Sequence, residues 1–377
     1  MNYKHVFVLV LAILFANMVS AQNFRQMEFK EYQKLWETGP VTAADFRGQA
    51  TEGTGNRSEL SYQIGYFPEK IKRPDTTIFR LQAYSFMDRN KSWLNPDENT
   101  AQALAYNQAI FNLVEIYERQ LQSELNRVKD LDEAGVVTDQ AFTRLKNEVA
   151  GFSNQTGYGQ DETSVQQFLA ATETRLSGSK KEELPPFVNH SFNYGLHGGL
   201  GYSGLTGNMG RYFQNPVNLV FGIELGYRKM MLLLHATQGF SEVKTAFTET
   251  RIWPADVRVS VNIFEGSFGY RLLNTAKLNL IPFAGWSLTQ FSASDRNEVY
   301  RDHHLAEHGF SAGICVDYKL RHRLNFVPGY FGRAETSETR IRTRLTFNPV
   351  SYNDLQKGNV ISLSTSLSFG GRKLKVQ

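Results

Sequence analysis

From about residue 190 to the C-terminus the chain alternates apolar with small or polar residues, and a period of two is that of strands, not helices. In NLVFGIELGYR (218–228), Leu219, Phe221, Ile223, Leu225 and Tyr227 share one face, while Gly222, Glu224 and Gly226 share the other. The same alternation runs through DVRVSVNI (Val257, Val259, Val261, Ile263), GFSAGICVDY (Phe310, Ala312, Ile314, Val316, Tyr318) and ISLSTSLSF (Ile361, Leu363, Thr365, Leu367, Phe369). Turn residues divide the region into eight expected strands, at about 191–205, 216–228, 230–240, 256–271, 277–291, 308–319, 323–334 and 359–370. Their connections alternate in length. Short ones fall at Arg228 to Lys229, LLNTA (272–276) and KLRH (319–322), and longer polar ones fill about 206–215, 241–255, 292–307 and 335–358. Short turns at one end and long loops at the other are the pattern of a transmembrane barrel, with the short turns and both termini in the periplasm. A soluble barrel or sandwich also alternates, but it buries its greasy face and has no need of such regular short and long connections.

The N-terminus agrees with an envelope address. Lys4, the apolar run VFVLVLAILFANMV (6–19) and the small-residue exit VSAQ read as a secretory signal peptide cut after Ala21, with no cysteine following for lipid attachment. No later stretch reaches 18 consecutive apolar residues, so no spanning helix is expected. Net charge is only +4, but residues 22–190 carry 19 Lys and Arg against 24 Asp and Glu, and residues 191–377 carry 21 against 13. Of the 30 glycines, 20 lie beyond residue 190. Two differently built parts therefore meet near SGSKKEELPPF (177–187). The expected division is a signal peptide over 1–21, an acidic α+β domain over 22–180, a linker over 181–190 and an all-β antiparallel barrel of eight strands over 191–377, similar to OmpA/OmpX-type barrels.

An eight-stranded barrel has room for packed side chains and none for an aqueous channel. Glu224, Glu265 and Asp317, if they face the lumen, are expected to pair with inward arginines. Tyr227, Tyr270, Phe291, Tyr318 and Tyr330 near strand ends suit interfacial girdles. Arg340, Arg342 and Arg344, in the expected 335–358 loop, share one face of an extended segment and read as an outer-rim edge. DHHLAEH (302–308) would place His304 and His308 at metal-ligand spacing if it were helical, but it adjoins a strand. The lone Cys315 reads as a small buried or lipid-facing residue. Phe369 is followed by GGRKLKVQ, whereas barrels of this kind commonly end on an aromatic residue.

In the acidic half, LWETGPVTAADFRG (35–48), the expected strand pair SELSYQIGYF (58–67) and TTIFRLQAYSFMD (76–88), the tetrapeptide KSWL (91–94) and the helical LAYNQAIFNLVEIYER (104–119) follow one another. This succession resembles the zinc-dependent protease domain of a family of secreted bacterial proteins, whose long helix carries an H-E-Q-G-H motif. Asp45, Phe46, Gly48, Gln108, Phe111, Glu115, Ile116, Tyr117 and Arg119 match that family's pattern. The metal-binding positions do not: Tyr106 and Ile110 stand where the resemblance places histidine ligands, Asn107 where it places the general base, and Asn112 replaces an aspartate. Because residues 22–189 contain neither histidine nor cysteine, a conventional catalytic zinc site cannot be built from them. Two further amphipathic helices are expected at 137–152, with Thr138 as a plausible N-cap, and at 162–176.

The expectation is thus a non-enzymatic outer-membrane barrel of a Gram-negative bacterium with a periplasmic pseudo-protease domain acting in anchoring or in protein or peptide interaction. Tyr106, Asn107 and Ile110 would mark a pseudo-active groove, and no catalytic residues, metal or cofactor are expected. Outer-membrane lipid and a periplasmic protein are the expected partners, and no nucleic-acid module or phosphate-binding loop is present. The alternative function is transport of a small or amphipathic solute across the outer membrane.

Overall fold

The computed structural model describes residues 27–50, 58–95, 100–248, 251–293, 303–328, 334–352 and 357–376. The expected signal peptide over 1–21 and Tyr330 lie outside the described residues.

The N-terminal part is built on an antiparallel hairpin, β1 (Tyr62–Lys72) and β2 (Thr76–Asp88), in register from Tyr62 opposite Met87 to Lys72 opposite Thr77. Across it lies α1 (Thr100–Leu125), flanked by α2 (Leu131–Gln155) and α3 (Glu162–Gly178). α1 is buried nearly all round, its polar Asn107, Asn112, Glu115 and Gln122 included. Phe111, Leu113, Val114 and Leu121 are wholly enclosed and meet Leu81 and Met87 of β2, Leu145 and Phe152 of α2, and Val165 of α3. α2 begins six residues before the expected Val137: Asp130 is its N-cap, accepting from the Glu133 amide at 2.7 Å. Thr138 is interior and returns its hydroxyl to the Ala134 carbonyl at 2.8 Å, which is the helical use of threonine and not a cap.

The second part is a closed antiparallel barrel of eight strands: β3 (Phe187–Leu205), β4 (Val217–Tyr227), β5 (Met230–Glu242), β6 (Arg258–Tyr270), β7 (Leu278–Ala293), β8 (His304–Asn325), β9 (Glu335–Ser351) and β10 (Lys357–Val376). Each strand pairs with the next, and β10 pairs with β3 to close the ring. Four of the eight expected strands agree to within three residues; the first begins four residues earlier than expected, and the last runs longer at its C-terminal end. β8 is longer than the expected 308–319, so KLRH (319–322) lies within it and is no turn. The seventh strand is Glu335–Ser351, not 323–334, and most of what reads as the last outer loop is strand. The GGRKLKVQ tail continues β10 as far as Val376.

Two ends result. The terminal end carries Phe187, Val376 and the connections 228–229, 271–277 and 326–334, and the loop end carries 206–216, 243–257, 294–303 and 352–356, so the expected alternation of short and long holds except at the last hairpin. At the terminal end β8 overruns the barrel: His322–Asn325 pairs in parallel with Thr76–Phe79 of β2, and Val327 is buried in the N-terminal core. Lys277, in a barrel turn, meets Asp75 of the β1–β2 turn at 2.7 Å.

Outward positions form an apolar belt that includes Leu200, Ile223, Phe264, Phe268, Trp286, Phe310 and Leu363, each about half or more exposed. A closed ring leaves no strand edge unpaired, and a belt of this extent exceeds what a monomer keeps in water, so the exterior is that of a bilayer-spanning barrel. Tyr227, Tyr270 and Tyr318 sit on it at the terminal end, with Arg228 and Lys229 over the first two rings, which suits an interfacial girdle. Phe291 faces inward and is fully enclosed.

Candidate functional site

The lumen is built from the inward parity of the strands. In β9, Arg340, Arg342 and Arg344 point inward and are at most 4% exposed, so they are lumen residues and not an outer rim. The error follows from the misplaced seventh strand. Their partners are the three acids expected there. Arg342 meets Asp317 at 2.6 Å and Glu224 at 2.5 Å, Arg340 meets Asp317 at 3.0 Å and also Glu224, and Arg344 meets Glu265. Ser311 donates to the second oxygen of Glu265 at 2.9 Å. Glycine gives these groups room: a Cβ on Gly195 would collide with the Glu224 carboxylate, one on Gly222 with the His197 ring, and one on Gly370 with the Arg340 guanidinium. His197 and His235 stack in the same layer with ring centroids 5.2 Å apart. Such a lattice holds together only as a set, because removing one member leaves a desolvated charge at a cost of about 3–5 kcal/mol.

Toward the loop end the lumen turns apolar. Val257, Val259, Val261 and Ile263, the greasy face of DVRVSVNI, point inward, and the outward neighbours Arg258, Ser260 and Asn262 are polar. They pack with Met209 and Phe213, from and just after α4 (Gly207–Tyr212), and with Phe247 and Trp253 of the hairpin pairing 247–248 with 252–253. Trp253 stacks on Phe247 and meets Phe213 edge-on. The loop end is therefore stoppered by side chains. His303 belongs to this stopper, at 3.0 Å from the Ile252 carbonyl and edge-on to Trp253. His304 and His308 lie exposed on a strand, where four residues span about 13 Å, so they cannot share one ion. No group of three or more metal-binding side chains occurs among the described residues.

At the terminal end the lumen opens into a cavity of about 160 Å3, lined by Arg271, Arg340, Arg372, Asn193, Asn279 and Glu338 among others, with exposed Asn189 and Asn274 at its rim. Arg271 is 8% exposed and donates to Asn193 Oδ1 at 3.2 Å and to the Met231 sulfur at 3.3 Å. Its Nε, the Asn193 Nδ2 and the Arg340 Nε have no hydrogen-bond partner among the described residues. Arg271, Arg372 and Asn193 escaped the sequence reading although parity marks them: Arg271 continues the inward series Glu265, Ser267, Gly269, and Arg372 the series Ser366, Ser368, Gly370.

In the N-terminal part, Tyr106, Asn107 and Ile110 are no more than 5% exposed and lie in the core. Tyr106 hydroxyl lies 2.7 Å from Ser153 Oγ, its ring stacks on Phe152, and burial pushes its pKa up. Asn107 donates to Ser58 Oγ and to the Ala103 carbonyl, both at 2.7 Å. The three positions thus pack as interior residues and line no open groove among the described residues. The residues carrying the resemblance have structural duties. Gln108 accepts from the Val41 amide at 2.7 Å, Asp45 holds Arg89 and Lys34, and the Gly48 amide donates to the Ser92 carbonyl at 2.8 Å, where a side chain would strike backbone. Glu115, 1% exposed, accepts from Arg119 at 2.7 Å. Burial, reinforced by neighbouring Glu118, raises its pKa to about 7.

No protein-family model matches the chain, and no curated protein matches it. Among solved structures it is similar to Ail, the attachment invasion locus protein of Yersinia pestis (10% identity, TM-score 0.26, 49% of this chain and 99% of that one). It is also similar to Neisserial surface protein A (11% identity, TM-score 0.29, 49% and 98%) and to the N-terminal β-barrel domain of Pseudomonas aeruginosa OprF (8% identity, TM-score 0.24, 48% and 99%). The barrel itself is read from the closure of its own strand register.

Proposed function

We propose that the chain is an integral outer-membrane protein of a Gram-negative bacterium in which the barrel is an anchor and the acidic N-terminal domain works in the periplasm by binding a protein or peptide, without catalysis. The observation that carries this reading is the filled lumen: an ion-pair layer beneath an apolar stopper suits a barrel that holds a domain in place better than one that conducts. A non-catalytic role is supported by the lack of histidine and cysteine over 22–189 and by the interior packing of Tyr106, Asn107 and Ile110. On this reading the long helix serves as a frame, and the partner surface lies elsewhere on the domain.

The test uses the full chain. Externally added protease should spare the N-terminal domain in intact cells and cut it once the outer membrane is permeabilised, and the reconstituted protein should leave planar bilayers non-conducting. Stoichiometric zinc together with chelator-sensitive proteolysis would sink the non-enzymatic reading, and single-channel conductance would favour solute transport.

A further inference from the structure

We infer that the terminal-end cavity is a binding site for a phosphate-type oxyanion, held by Arg271 and Arg372 with Asn193. The first ground is an excess of donors. Asn193, which lines the cavity, accepts from Arg271 through Oδ1, and its amide NH2, Arg271 Nε and Arg340 Nε all lack an acceptor among the described residues. Buried donors are costly to leave unmatched. The one lining acceptor similarly without a partner, Asn279 Oδ1, suits the hydroxyl of a protonated phosphate.

The second ground is charge. Four buried guanidiniums, at Arg271, Arg340, Arg342 and Arg344, face three buried carboxylates, at Glu224, Glu265 and Asp317, and all three carboxylates are engaged by residues 340, 342 and 344. Arg271 is the cation left over. Half-buried Arg372 joins it at the cavity with no carboxylate within ion-pair distance among the described residues, and Glu338 on the same wall is taken by Lys319 at 3.4 Å. Two uncompensated guanidiniums match the charge of about −1.5 to −2 that phosphate carries near neutral pH, and their planar forks match its oxygens.

Size and access agree. The cavity is well below the ~300 Å3 at which drug-sized pockets begin, and its rim residues are exposed, so a small ion can enter from the terminal end. The phosphate can be free or can be the phosphomonoester headgroup of a phospholipid, which has the same charge and the same protonated oxygen.

The full chain, delipidated and folded in detergent, is titrated with sodium phosphate by calorimetry. One saturable site per chain is expected, weakened at least tenfold by Arg271→Gln and by Arg372→Gln and unchanged by Arg211→Gln at the loop end. Because a lumen variant can fail to fold, a second measurement uses the wild type: phosphate should slow phenylglyoxal modification of Arg372 and leave Arg211 unaffected. Native mass spectrometry without delipidation tests the other source, where one phospholipid per chain, lost in Arg271→Gln, assigns the site to a headgroup. Absence of both phosphate binding and a retained phospholipid, or binding that survives both arginine substitutions, overturns the proposal.

Discussion

Glu115 illustrates how a single residue in this chain answers to its surroundings. Its carboxyl is enclosed, lies beside Glu118, and has a pKa raised from 4.5 to about 7. A group whose folded pKa is raised binds its proton more tightly in the native state. Its contribution to stability is therefore complete below 4.5 and is lost as pH rises through about 7. Glu115→Gln removes that titration. The variant should gain on the wild type between pH 5 and pH 8 by about 2 kcal/mol in urea unfolding, and a gap independent of pH would contradict the assignment. Residue-scale reading of the sequence succeeded where parity alone decides: Glu224, Glu265 and Asp317 face inward and meet arginines, as their alternation implies. What the sequence does not give is how Tyr106, Asn107 and Ile110 pack: they are as buried as any helix interior, with Phe152 and Ser153 against Tyr106 and Ser58 against Asn107.

Elements show a different division between what is legible and what is not. Where alternating apolar residues are bracketed by turn residues, as in β4 and β5, the expected limits fall within two residues of the structure. β9 was hidden because its inward face is arginine and threonine, a pattern that reads as a polar loop until lumen partners are known. β6 reverses the rule within one strand: its first half turns its valines inward to the stopper, and its second half turns Phe264 and Phe268 outward. Alternation gives two faces but does not say which one meets lipid. Trp253 anchors that stopper at 1% exposure, so Trp253→Ala should cost about 3–5 kcal/mol, read as a lower heat-modification midpoint on electrophoresis. Conductance should nonetheless stay absent, because the arginine–carboxylate layer lies beneath; an open channel in this variant would show that the stopper alone closes the lumen.

For the whole molecule the decisive element is β8, which is at once a barrel stave and a strand of the N-terminal sheet. No local pattern in the sequence announces this, since the pairing joins residues 76–79 to residues 322–325. A Thr77→Cys/Arg323→Cys pair sits at directly opposed positions and should form a disulfide on mild oxidation with the barrel intact. Failure of the pair to close, with each single variant folded, would separate the two parts.

The order of synthesis gives that shared strand a consequence in time. β2 leaves the ribosome nearly 250 residues before its partner in β8, so the N-terminal sheet stays one strand short until most of the barrel has been made. Until then β2 presents a bare edge of unpaired amides and carbonyls, the kind of surface that recruits a chaperone or another chain. Completion of the domain thereby becomes a report that the barrel has been assembled.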